Sequence, residues 1–206
     1  MSAAARIAVL DYGIGNLRSA QKALEKVGAD ARLVTEPAQA ESADAVVLPG
    51  VGAFGACMGA LRRSGLESVV RGAVESGTPF LGICVGMQML FGDSDEDAGV
   101  HGLGIIPGSV RTIPGDVKRP QMQWNRLHVR HDDPMFAGLG ADPWMYFVHS
   151  YHGVPDDASH VAATVRYGSE INVAFRRDNV FAVQFHPEKS ASAGLGMLRN
   201  FVESVA

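Results

Sequence analysis

The chain has 206 residues, 47% of them hydrophobic and 19% charged, with 24 glycines, a composition that excludes a disordered polypeptide and suits one globular domain spanning residues 1–206. A formal net charge of −4 without any run of Lys or Arg argues against nucleic acid as a partner. No window of about 18 apolar residues offers a membrane span and the first residues lack the layout of an export signal, so a cytoplasmic chain is expected.

Arg6 to Asp11 (RIAVLD) is a short apolar run that stops at Tyr12-Gly13-Ile14-Gly15, which predicts a buried strand ending in a turn. A helix follows: Asn16 can cap it, Leu17, Ala20, Leu24 and Val27 recur at three- and four-residue steps, and Gly28 ends it. Ala31 to Thr35 reads as a second strand and Asp44 to Leu48 as a third, which ends at Pro49-Gly50-Val51-Gly52. Residues 54–64 and 66–76 suit helices, and Pro79 to Cys84 makes a fourth strand. Strands alternating with helices predict a parallel sheet covered on both faces. From about Gly92 helical periodicity is gone. Strands are expected at Ser109 to Ile113, Arg126 to Arg130, Met145 to His149, Val161 to Val165, Ile171 to Phe175 and Val180 to Phe185, before a final helix over residues 191–205.

Gly50-Val51-Gly52-Ala53-Phe54-Gly55 matches G-x-G-x-x-G. The next strand, however, ends in Leu81-Gly82-Ile83-Cys84 with no acid to hold a ribose, so a dinucleotide site is not favoured. The glycines either permit a tight turn or free backbone N–H groups for an anion. Gly82-Ile83-Cys84-Val85-Gly86 has the G-x-Nuc-x-G spacing of a nucleophile elbow. An amphipathic helix after it would aim N–H groups at the sulfur, with Val85 N–H placed to meet an oxyanion. Cys57 lies in a predicted helix without such an elbow and reads as a structural thiol. Neither cysteine has ligand-spaced company, so no metal and no disulfide framework are expected.

A thiolate needs a base. His186 follows an apolar strand in Gln184-Phe185-His186-Pro187-Glu188-Lys189, and Glu188 is close enough to orient its ring. His149, in Tyr146-Phe147-Val148-His149-Ser150-Tyr151, competes for the role, and spacing alone does not choose between them.

In their order, Pro49 to Gly52, Gly82 to Gln88 and Gln184 to Ser190 resemble the class I (triad) glutamine amidotransferases across nearly the whole chain. Asp11 to Asn16, Pro49 to Phe54 and Tyr146 to Tyr151 narrow the resemblance to the glutaminase subunits of imidazole glycerol phosphate synthases. The resemblance implies a flavodoxin-like three-layer α/β fold with a central mostly parallel sheet, flanking helices and a β-rich C-terminal half. It implies hydrolysis of L-glutamine without a cofactor. Cys84 would be the nucleophile, His186 the acid and base, Glu188 its orienter, and the N–H groups of Val85 and Val51 the oxyanion donors. Gly52, Gln88, Glu96, Ser150 and Tyr151 would hold glutamine, with Glu96 on the α-ammonium. The implied partner is a (β/α)₈-barrel cyclase subunit, joined in a heterodimer with Asn16, Tyr146, His149 and Lys189 near the interface. Met122-Gln123-Trp124-Asn125 departs from the family's Met-Gly-Trp-Asn, which places the backbone path at residue 123 in question.

Overall fold

The computed structural model describes residues 4–205. In chain order its elements are β1 (Arg6–Leu10), α1 (Leu17–Lys26), β2 (Asp30–Val34), β3 (Ala45–Gly50), α2 (Phe54–Arg63), α3 (Glu67–Glu75), β4 (Phe80–Cys84), α4 (Val85–Gln88) and β5 (Asp93–Ser94). They continue with β6 (Gly108–Thr112), β7 (Gln121–Arg126), β8 (His128–Val129), β9 (Trp144–His149), β10 (Tyr151–Pro155), β11 (Val161–Tyr167), β12 (Ser169–Arg177), β13 (Val180–Val183) and α5 (Ala191–Glu203).

Eight strands form the main sheet in the order β2-β1-β3-β4-β13-β12-β11-β8. The first five are parallel and the last three extend the sheet antiparallel. β3 and β4 are buried along their whole length, as a parallel sheet covered on both faces requires. The β1-α1-β2 connection runs toward one edge, whereas β3 reaches β4 through α2 and α3 toward the other. Right-handed crossovers in opposite directions place these helices on opposite faces, and they open a crevice at the carboxyl ends of the strands.

Local chemistry explains the framework. Leu17, Ala20, Ala23 and Leu24 form the buried stripe of α1. Past its end Gly28, at φ +104°, donates to Glu25 C=O (3.0 Å), and Ala29 donates to Leu24 C=O (3.1 Å). This pair of bonds is a Schellman stop, in which glycine adopts the left-handed conformation without steric cost. Asn16 occupies the cap position, but its side chain accepts from the Ser19 hydroxyl (2.9 Å) rather than from a helical N–H.

The expected strand over Arg126 to Arg130 is instead two, β7 and β8, broken at Leu127. β7 pairs with β9 in a separate two-stranded ribbon, and β10 joins β6 and β5 in a three-stranded sheet. Gln123 lies in β7 opposite Phe147 and is not among the residues with positive φ, so the departure at this position fits an ordinary extended strand. After Cys84 the expected amphipathic helix is a single turn, and all four of its residues are buried. No helix among the described residues is long and apolar enough to cross a membrane.

Candidate active site

Three neighbouring parallel strands, β3, β4 and β13, deliver three sequence motifs to one end of the sheet. β3 ends at Pro49-Gly50, in register with Ile83 and Cys84 at the end of β4. The chain leaving β13 reaches His186 three residues after Val183, which itself pairs with Ile83.

Cys84 takes φ 56° and ψ −116°, a region that costs a non-glycine residue roughly 1–3 kcal/mol and persists only where its surroundings enforce it. Here the enforcement is close backbone packing. A Cβ on Gly86 would stand 1.9 Å from Leu48 O, and one on Gly50 would stand 2.6 Å from Gly86 N, so only glycine lets β3 and the elbow approach this closely. Val85 holds the first position of α4, where helix geometry leaves the N–H without an intrahelical acceptor.

His186 is 4% exposed, and its Nδ1 lies 2.9 Å from Glu188 Oε1. Ser190 fastens this turn by donating to His186 C=O (2.7 Å) and accepting from Tyr146 N–H (3.0 Å). Burial alone would lower the His186 pKa, but the hydrogen-bonding and charge of Cys84 and Glu188 outweigh it and raise the value to about 10. The ring therefore carries its second proton at neutral pH. His149 differs in every respect: its Nδ1 faces Tyr151 C=O (2.7 Å), its Nε2 faces Gln121 Oε1 (3.0 Å), and burial drives its pKa down to about 4. The histidine beside the carboxylate and the cysteine is thus His186, and His149 is a neutral buried strut. It is 5% exposed, with both ring nitrogens engaged by these interior contacts.

A cleft of about 320 Å³ opens over Cys84. It brings together Val51, Gly52, Cys84, Val85, Gln88, Glu96, His149, Ser150, Tyr151, His186 and Lys189 from the sequence-derived set, and adds Pro120 and Val148. Glu188 lies behind His186 instead, on a separate small cavity that it shares with Asn16 and Gly50. Asn16 and Lys189 are exposed, and Tyr146 is half-buried on β9. Glu96 Oε2 accepts the N–H of Phe54 (2.8 Å), and Asp97 Oδ2 accepts that of Gly55 (2.7 Å). Both carboxylates therefore cap α2, where the helix dipole favours them. Gln88 donates to Gln184 Oε1 (2.9 Å), and the Gln184 amide nitrogen lies 3.7 Å from Cys84 Sγ as a donor. Gln184 has no signature of its own in the sequence motif, and only the fold reveals its contact with the sulfur. Among the described residues no group of three or more His, Cys, Asp or Glu side chains is disposed to hold a metal ion.

A strained cysteine elbow, a histidine paired with a glutamate, and a glycine-rich strand thus stand side by side at one end of an α/β sheet. The chain belongs to the class-I glutamine amidotransferase family, whose sequence model matches residues 8–205. Over nearly its full length it is similar to proteins named imidazole glycerol phosphate synthase subunit HisH. It is 51% identical to that of Syntrophotalea carbinolica, covering 95% of this chain and 98% of the relative, and 50% identical to that of Methanothermobacter thermautotrophicus, covering 97% and 98%. Among solved structures, a glutamine amidotransferase superposes with TM-score 0.77 at 25% identity, covering 97% of this chain and 98% of the other. A PurLQS structure from Thermotoga maritima gives TM-score 0.79 at 21% identity over 99% and 100%, a likeness of fold.

Proposed function

We propose that this chain is a cytoplasmic, single-domain glutaminase subunit of imidazole glycerol phosphate synthase, which hydrolyses L-glutamine and passes the ammonia to a (β/α)₈-barrel cyclase subunit in histidine biosynthesis. The observation that carries the chemistry is the convergence of Cys84 and His186 at adjacent strand ends within one cleft, with Glu188 bonded to the ring from behind. The HisH name of its relatives carries the pathway.

Cys84 Sγ attacks the carboxamide carbon of glutamine as the thiolate, its proton held on His186, and the carbonyl oxygen becomes an oxyanion held by Val85 N–H and, once the Gly50–Val51 peptide presents it, by Val51 N–H. His186, protonated at neutral pH, gives its proton to the departing nitrogen, so the C–N bond breaks with loss of ammonia and a thioester remains. The ring, now neutral, takes a proton from water as the water attacks the thioester; glutamate leaves, and Cys84 is expelled as the thiolate beside the reprotonated ring, which restores the starting pair. Glu188 holds the imidazolium in place. Gln88, Gly52 and the Ser150–Tyr151 backbone seat the substrate, and Glu96, one of whose oxygens is already committed to α2, takes the α-ammonium with the other.

The partner surface is supported by the ribbon of β7 and β9. Met122, Trp124 and Trp144 are 62%, 43% and 48% exposed, Trp124 stacks at a tilt on Tyr146 with centroids 5.9 Å apart, and the Arg126 guanidinium lies 5.1 Å over Trp144. Exposed aromatics clustered with Arg are the composition of binding hot spots. Val148, on the same ribbon, also lines the cleft, so a subunit docked here would cover the mouth through which ammonia leaves. The deciding experiment measures glutamate formed from glutamine by the chain alone and with the barrel cyclase and its nucleotide ligand. Partner-dependent turnover that Cys84→Ala abolishes without loss of partner binding is expected. Full turnover in Cys84→Ala would refute the chemistry, and stimulation only by another synthase subunit would overturn the pathway.

A further inference from the structure

Two features singled out in the sequence have no part in the mechanism above: Tyr12, in the turn just after β1, and Cys57. Both are buried, at 5% and 0% exposure, and they approach the same short segment from different elements. The Tyr12 hydroxyl donates to Pro49 C=O at 2.7 Å. The Cys57 thiol, on the first turns of α2, donates to Val51 C=O at 3.3 Å. The two bonds thus engage alternate carbonyls along the glycine-rich strand. The peptide between them is Gly50–Val51, the one that carries the Val51 N–H.

The surroundings strengthen the pattern. A Cβ on Gly50 would stand 3.0 Å from the Tyr12 hydroxyl as well as 2.6 Å from Gly86 N, so the phenol and the nucleophile elbow enclose Gly50 between them. Gly52, at φ +95°, provides a left-handed pivot immediately beyond the Cys57 bond. Burial pushes the pKa of both the phenol and the thiol up, which keeps both groups protonated and able to donate at neutral pH. The phenol is the stronger anchor, because a thiol is a weak donor.

We propose that Tyr12 and Cys57 are positioning residues that pin the Pro49 and Val51 carbonyls and so confine any turn of this strand to the single peptide that carries the oxyanion donor. Rotation of one peptide between fixed ends delivers its N–H to a defined point, whereas a strand free at its flanks would move as a loop and spread the donor over several ångströms. The proposal rests on the glutaminase reading for its effect on rate, but not for the restraint itself.

The test uses Tyr12→Phe and Cys57→Ala in the full chain, each with and without the cyclase partner, and Leu61→Val as a control that trims a buried side chain on the same helix. Partner-stimulated kcat should fall about 10-fold in Tyr12→Phe and several-fold in Cys57→Ala, less than the roughly 10²–10³-fold cost of deleting an oxyanion donor outright. KM for glutamine and partner affinity should stay within about twofold, and Leu61→Val should keep wild-type kcat. Hydrogen exchange supplies a readout that needs no catalysis: amides of residues 50–52 should exchange about 10-fold faster in both variants, with β1 and β4 unchanged. Wild-type kcat and wild-type exchange in both variants would overturn the proposal, as would a loss of kcat matched by Leu61→Val. Faster exchange in a chain that no partner stimulates would leave the restraint standing and remove the glutaminase reading instead.

Discussion

The buried His149 makes a quantitative prediction about acid stability. Its ring, held between Tyr151 C=O and Gln121 Oε1, has a pKa of about 4 because burial opposes its charged form. In the unfolded chain it returns to about 6.5. The unfolded state therefore binds a proton that the native state refuses. The contribution of His149 is fully present above about 6.5 and is lost as pH falls toward 4, to a total of about 3 kcal/mol at about 1.4 kcal/mol per pH unit. Between pH 7 and pH 5 the loss should be about 2 kcal/mol. His186 does not obscure this window: its raised pKa adds stability that is already complete below about 6.5 and is lost only as pH rises through about 10. Asp44, lowered to about 2 by its bonds with Arg6, begins to cost stability only below the ordinary carboxylate range. His152 is lowered by burial too and adds its own slope, but it is present in wild type and variant alike. His149→Asn, which can keep a donor toward Tyr151 C=O, should therefore lose some stability at pH 7 yet flatten the pH dependence by about 2 kcal/mol. Urea unfolding of both proteins at pH 7 and pH 5, compared at equal m-values, measures the difference. If the variant loses as much stability between these two pH values as the wild type does, His149 is not held neutral and the reasoning fails.

Gly86→Ala sets a Cβ 1.9 Å from Leu48 O and 3.2 Å from Pro49 C. Both are backbone atoms with no side chain able to give way, so a loss of about 3 kcal/mol or more is expected, read by thermal unfolding; a fall under about 1 kcal/mol would mean that the elbow is looser than described. Trp124→Ala and Trp144→Ala, on the exposed ribbon, should each weaken cyclase binding by roughly 2 kcal/mol, about 30-fold in Kd, with the melting temperature of the free subunit nearly unchanged. Calorimetric titration that shows wild-type affinity for both would move the interface elsewhere.

The N-terminal half was legible because its signals are local. β1, β3 and β4 are short apolar runs that end in glycine or cysteine turns, and α1 carries its stripe and its stop within a dozen residues. β7 escaped for the opposite reason: Met122, Gln123 and Trp124 are all exposed, so neither face of the strand writes an alternating pattern into the sequence. β10 holds Gly153, which reads as a strand breaker. In the fold it is required, because a Cβ there would meet the rings of Phe91 and Phe175 at 2.5 Å and 2.6 Å. The segment after Cys84 differs from the amphipathic helix its spacing suggests because Val85 through Phe91 is apolar at nearly every position and buried throughout.

The site divides along the same line. Cys84, His186 and Glu188 could be picked out because they fall in two short motifs at or just past strand ends, and adjacent parallel strands bring such ends together without further instruction. What assembles them is register. Gly50 pairs with Cys84 and Val183 with Ile83, and a slip of one residue would turn every side chain of β4 to the opposite face of the sheet. The groups that tune the site had no such signature. Gln184 reaches Cys84 from 100 residues away, Glu96 reaches Phe54 across 42, and Tyr12 reaches Pro49 across 37. Each is a side-chain donor or acceptor whose partner is fixed by packing between elements, and spacing along the chain records nothing of that. The proposed nucleophile and its base are thus properties of motifs, whereas the direction in which the proposed oxyanion donor and substrate ligands point is a property of the assembled sheet. Substitutions that leave all three motifs intact can for that reason still change the rate.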